Sequence, residues 1–161
     1  LILIEENFLN NKTCDEIVKF SDDLKANKFR PFRDIYVQEI FNINPKASSQ
    51  IGMFYSTYLS FRGLQIYPEL IQITVWPTGS KQKTHVDFAR ESTVLTSITY
   101  LNDDYEGGET YFENGITISP KKGKTVFFDG IKYPHGVNII KNNKRRILAI
   151  WYSNDIQNLY I

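Results

Sequence analysis

One cysteine and two histidines among 161 residues leave little soft or readily titrated chemistry to distribute. Cys14 alone builds no disulfide framework, so stability must come from packing, and a reducing, cytoplasmic setting is expected. Cys14 sits in a helical pattern far in sequence from either histidine and reads as an inert core thiol. No stretch approaches the roughly 18 apolar residues of a membrane span. The opening "LILIEENFL" is too short and too acidic for a signal peptide, so no membrane partner is expected. Formal net charge is only +1, so nothing demands nucleic acid or an anionic surface as partner. The local basic cluster Lys141, Lys144, Arg145 and Arg146 reads by default as a solvated loop. Internal repeats and low-complexity linkers are also missing. What is present in quantity is apolar and aromatic matter, 42% and 14%, enough for a substantial core. A single domain over 1–161 is expected, with helical support over about 1–68 and a β core over about 69–153.

The first third reads as helical. Thr13 with Glu16 three residues on has the spacing of a capping box, followed by Ile17, Phe20 and Leu24 at helical intervals. A second helix is predicted from about Ala47 to about Arg62, with Ile51, Phe54, Tyr55, Tyr58 and Leu59 on one side. Between them "RDIYVQEIF" alternates like a strand. From about Leu70 the character changes to eight short β-branched and aromatic runs, from "LIQITVW" to "RRILAIWYS". Turn chemistry such as "PTGS", "NDDYEGG" and "SPKKGK" separates them. That pattern argues for a helix-supported β-sandwich or barrel and against a parallel α/β sheet.

Both histidines fall in the β region. On a strand, residues two apart share a face, so His85 and Asp87 can both project inward with Val86 outward. A His-x-Asp pair by itself is usually two polar residues at a strand end. A metal on it needs at least one more ligand, and His135, opening a later strand, is the only other histidine. Two imidazoles and one carboxylate on one face of an ion are the ligand set of non-haem Fe(II) oxygenases. The same set also serves zinc hydrolases. Further along, alternation puts Arg145 on one face with Ile147, Ala149 and Trp151, and Lys144 and Arg146 on the other. Burying one cation opposite an anion is tolerable and burying two is far worse, so Arg145 is predicted inward. There it offers a bidentate site for a carboxylate; a surface ion pair is the plainer alternative.

Taken in order, His85-x-Asp87, a distal His135 and a basic residue ten positions later, six before Trp151, resemble the 2-oxoglutarate- and Fe(II)-dependent dioxygenases, specifically their prolyl hydroxylase branch. "ITYLNDDYEGGETYF", "SPKKGKTVFFDG" and "YPHGV" resemble further segments of that branch, so the resemblance covers roughly Ile71–Ser153. It implies a mainly β, double-stranded β-helix (jelly-roll) core. It implies Fe(II) held by His85, Asp87 and His135, 2-oxoglutarate gripped at its far carboxylate by Arg145, O2 as the other cosubstrate and ascorbate as a supporting reductant. Retention of Asp87 favours hydroxylation over halogenation. Thr99 is a candidate hydrogen-bond donor to 2-oxoglutarate, or simply a β-former. Trp76 resembles an aromatic at the pocket entrance where relatives usually have Tyr. Trp151 would face inward and border the substrate, with core packing equally good. Arg90 is a candidate for a peptide carbonyl, against a solvated loop. The implied acceptor is a prolyl residue in a peptide or protein. A free amino acid or other small molecule, and a non-catalytic binding module, are the alternatives. The segment "NKFRPFRDIYVQEI" is a candidate for substrate contacts, and the short "ARES" loop suggests an open site. Nothing in the sequence sets the oligomeric state.

Overall fold

The computed structural model describes residues 1–23, 29–87 and 90–159. In chain order the first elements are β1 (Ile2–Glu5), α1 (Asn11–Asp23), β2 (Arg30–Phe32), β3 (Ile35–Glu39) and α2 (Pro45–Phe61). Then come β4 (Tyr67–Trp76), β5 (Gln82–His85), β6 (Thr93–Tyr100), β7 (Glu106–Gly107), β8 (Thr110–Phe112) and β9 (Thr117–Ile118). The chain closes with β10 (Thr125–Phe128), β11 (His135–Val137), β12 (Ile140–Lys141), β13 (Arg145–Ser153) and a 3-10 turn at Ile156–Asn158. All eight predicted runs form strands.

Seven strands make the major sheet, in the order β1-β10-β6-β13-β4-β3-β2, and all of its pairings are antiparallel. The minor sheet runs β5-β11-β8-β9, and β12 pairs with β7 beside it. Two antiparallel sheets face to face, with the helices outside the larger one, form the expected double-stranded β-helix.

Period-two alternation in β13 assigns the layers. Leu148, Ile150 and Tyr152 join Ile71 and Ile73 of β4 in the core under α1 and α2, with Tyr55, Leu59 and Cys14 from the helices. Ile147 and Ala149 point the other way and pack with Ile98, Phe112 and Phe128 between the sheets. The central strands are buried on both faces because both faces are covered. Cys14 is fully buried, and burial pushes its thiol up, in keeping with an inert group.

Two predictions about the first third need correction. The strand expected between the helices is present as β3, but two further strands were not expected: β1 runs antiparallel to β10 at one edge of the major sheet, and β2 pairs with β3 at the other. The cap of α1 is Asn10, whose Oδ1 accepts from the Thr13 amide at 2.8 Å, so Thr13 lies inside the helix and not at its cap. Leu24 lies outside the described residues. Helix α2 is capped by Asn44, whose side chain accepts from the Ala47 amide at 3.0 Å, with Pro45 in the first turn where no amide donor is missed. Among the described residues no helix is long and apolar enough to cross a membrane.

The corrected cap is testable. Asn10→Ala should lower unfolding free energy by about 1 kcal/mol in urea denaturation, with Thr13→Ala costing less than half as much. The reverse order would restore Thr13 as the cap.

Candidate metal and cosubstrate site

His85 ends β5 and His135 begins β11, and the two are direct cross-strand partners. Their ring centroids lie 4.5 Å apart. Asp87 falls beyond the last residue of β5, so its inward projection is not the pleat of a continuous strand. Instead its amide donates to the Gly130 carbonyl at 2.9 Å, and that loop contact aims the carboxylate. Val86 between them is largely exposed.

One ligand atom from each of His85, Asp87 and His135 lies within 4.8 Å of the other two. Asp87 Oδ1 is 3.7 Å from His85 Nε2 and 3.5 Å from His135 Nε2. The second nitrogen of each ring is already committed: His85 Nδ1 lies 3.0 Å from the Lys83 carbonyl and His135 Nδ1 2.9 Å from the Tyr133 carbonyl. A carbonyl only accepts, so each Nδ1 carries the proton, and in a neutral ring Nε2 is left with its lone pair facing the centre. The other Asp87 oxygen, Oδ2, accepts from the Thr96 hydroxyl at 2.6 Å. This is the outer-shell support that orients metal ligands.

The electrostatics agree. Burial pushes the Asp87 carboxyl up, but His135, His85 and the Thr96 hydroxyl outweigh it and hold the group below the usual carboxylate range. Burial likewise pulls the His85 imidazole down, yet the Asp87 carboxylate and the Lys83 carbonyl raise it on balance. Both shifts say that positive charge is favoured at the centre. An N, N, O donor set this compact fits a divalent cation.

The same cavity, about 470 Å³, reaches Arg145. This guanidinium is 0% exposed. Nε donates to the Gly108 carbonyl at 3.1 Å and Nη2 to the Thr110 hydroxyl at 3.3 Å. Trp76 and Tyr100 lie against it, with ring centroids 4.9 and 5.4 Å from Cζ. Nη1 is buried without a well-formed hydrogen bond, and its nearest polar neighbour is the equally buried Tyr105 hydroxyl, which carries no counter-charge. Leaving a buried charge without a counter-ion costs on the order of 3–5 kcal/mol. A carboxylate entering the cavity would relieve that cost, so the residues fit a dicarboxylate cosubstrate as well as a metal. Gly108 permits the close packing here: a Cβ would lie 2.8 Å from the Tyr105 ring and 3.2 Å from Arg145 Cδ.

The sequence-predicted residues divide as follows. His85, Asp87, His135, Arg145, Trp76 and Trp151 all line the cavity. Arg146 points away and pairs with Asp22 at 2.8 Å, as the alternation required. Trp76 is only 4% exposed, packs over Arg145 and donates from Nε1 to the Thr74 hydroxyl at 3.0 Å, so it is an interior wall and not an entrance aromatic. Thr99 needs a correction: its hydroxyl lies 2.6 Å from the Tyr55 hydroxyl on α2 and 2.6 Å from that of Thr125, on the helix side of the sheet. Its neighbour Tyr100 occupies the cavity side. Arg90 also moves out of the site: it is exposed, and its Nη1 donates to Asn158 Oδ1 at 2.7 Å. Of the "ARES" loop, Ala89 lies outside the described residues, as does Phe88 before it. The segment singled out for substrate contacts does supply wall residues, Arg30, Phe32, Arg33, Ile35 and Val37.

Comparison with known proteins places this geometry in a class. A family model for the 2OG-Fe(II) oxygenase superfamily matches residues 71–153, just over half of the chain, and the chain belongs to that superfamily. Its likeness within the superfamily is to prolyl hydroxylases. It is 35% identical over 65 residues to human Prolyl 3-hydroxylase 3 and 36% identical over 67 residues to human Prolyl 3-hydroxylase 2. Those matches cover 36% and 37% of this chain but only 9% and 10% of the relatives, so the chain spans about a tenth of their length. In fold it is similar to the viral collagen prolyl hydroxylase of Paramecium Bursaria Chlorella virus-1 solved with 2OG, at TM-score 0.74 and 19% identity over 94% of both chains. It is also similar to a Trichoplax adhaerens prolyl hydroxylase solved with a hypoxia inducible factor peptide, at TM-score 0.80 and 18% identity over 95% of this chain and 83% of that one.

Gly130 gives the site its sharpest steric test. A Cβ there would lie 2.4 Å from Asp87 Oδ2 and 2.8 Å from Asp87 Cγ, so the carboxylate must move. Gly130→Ala should weaken Mn(II) binding by about 10- to 100-fold in a calorimetric titration, the loss typical of disturbed outer-shell support. Unchanged affinity would mean that Asp87 is not a ligand.

Proposed function

We propose that this chain is a single catalytic domain that hydroxylates a prolyl residue in a peptide or protein, using Fe(II), 2-oxoglutarate and O2, with ascorbate as supporting reductant. The reading is carried by one observation: two imidazole nitrogens and a carboxylate converge in the same cavity as a buried guanidinium with a free N–H. Prolyl hydroxylases among its relatives supply the substrate class.

His85, Asp87 and His135 would hold the iron. Thr96 and the Lys83 and Tyr133 carbonyls fix the orientation of those ligands. Arg145 would take the far carboxylate of 2-oxoglutarate through Nη1, with Trp76 and Tyr100 confining that end. When bound, the iron and 2-oxoglutarate together supply O2 activation: one oxygen ends in succinate with loss of CO2, and the other on the acceptor carbon as hydroxyl. The protein contributes geometry and dryness. Ile98, Ile147, Ala149 and Phe128 wall the cavity with apolar surface that keeps water from the reacting atoms. Trp151 and the β2–β3 hairpin face the space left for the acceptor.

Incubation with Fe(II), 2-oxoglutarate, ascorbate and proline-containing peptides should yield succinate and a matching gain of one oxygen on proline by mass spectrometry. Oxygen gain on free amino acids alone would move the acceptor to small molecules, and no succinate with any acceptor would end the oxygenase reading. Asp87→Ala should abolish both products. Arg145→Ala should raise the 2-oxoglutarate KM by about 10- to 100-fold through loss of charge-assisted hydrogen bonds, while Arg146→Ala leaves it within about twofold.

A further inference from the structure

The cavity wall carries three arginines, Arg30, Arg33 and Arg145, against one acid, Asp87, among the described residues. Under the proposed function most of this charge is accounted for. Iron and Arg145 are balanced by Asp87 and the two carboxylates of 2-oxoglutarate. Arg30 is balanced by Glu39, whose Oε1 lies 2.9 Å from its Nη2. Arg33 is left over.

Its position is unusual on independent grounds. Arg33 and Asp34 form the two-residue loop of the β2–β3 hairpin, with Phe32 paired to Ile35. Arg33 takes φ +55, the left-handed region, at the first loop position where such hairpins prefer glycine. A long β-unbranched cation held there is locally strained, and strained residues cluster where ligands are gripped. Arg33 is exposed, rests over the Phe32 ring with Cζ 5.4 Å from the centroid, and lines the cavity. It shares that cavity wall with His85 and Asp87.

We infer that Arg33 selects acceptors carrying an acidic residue beside the target position, its guanidinium pairing with that carboxylate at the cavity mouth. Phe32 offers the flat apolar surface on which the neighbouring residue rests. The inference rests on the proposed function for its charge balance. The loop geometry and the position of Arg33 on the cavity wall do not depend on it.

Peptide binding tests it without turnover. Three labelled peptides, identical except for Asp, Gln or Lys beside one proline, would be titrated by fluorescence anisotropy with the Mn(II)- and 2-oxoglutarate-loaded protein. The acidic peptide should bind about three- to tenfold more tightly than the neutral one at low salt, and the basic one more weakly still. The gap should narrow as salt rises. Arg33→Gln should erase the gap and Arg33→Glu should invert the order. Equal binding of all three peptides, or an unchanged order in Arg33→Glu, would overturn the inference. Hydroxylation of the same peptides separates it from the reading beneath it. Arg33-dependent binding with no oxygen gained on any peptide upholds Arg33 and removes the prolyl hydroxylase. Oxygen gained equally on all three with no Arg33 dependence does the opposite.

Discussion

Three electron pairs aimed at one point repel each other unless a cation sits between them. That constraint organises this molecule. The cross-strand pairing of His85 with His135 brings two imidazoles together at the end of the minor sheet, and the Gly130 contact swings Asp87 in from the following loop. With both Nδ1 atoms tied to carbonyls, the rings are set to present their other nitrogens to the centre and not to turn away. A fold that commits hydrogen bonds to such an arrangement presents a donor set in place for a cation.

The opposite problem is posed at the other end of the cavity. Arg145 is fully buried between aromatic rings, with two hydrogen bonds from its other nitrogens and an idle Nη1. A cation without an anion there, and a cluster of lone pairs without a cation nearby, are complementary defects in one apolar-walled space. A small dicarboxylate that also chelates a metal resolves both.

Much of this was legible in sequence, for reasons that differ by residue. The β runs stand out because their turns carry Gly, Asn and Pro between β-branched stretches. The inward turn of Arg145 follows from its cationic neighbours, since only one of three successive charges can be accommodated inside. Thr99 failed for a specific reason: β6 is buried on both faces, so its residues show no polar–apolar alternation from which to read which parity faces the cavity. The metal histidines gave no help, lying on the other sheet. Tyr100, one position along, was therefore missed, as was Thr110, whose role depends on a cross-sheet contact with Arg145. Asn10 was passed over as a cap because Thr13 and Glu16 mimic the familiar spacing one turn later. Arg90 is close in sequence to the metal pair yet its guanidinium donates to Asn158 of the C-terminal turn.

The most direct test of the central claim is ordered binding followed by calorimetry without oxygen. Complementary defects predict one divalent metal per chain, then one 2-oxoglutarate that binds tightly only to the metal-loaded protein. Binding of 2-oxoglutarate equally well with and without metal, or no uptake of metal at all, would contradict the account.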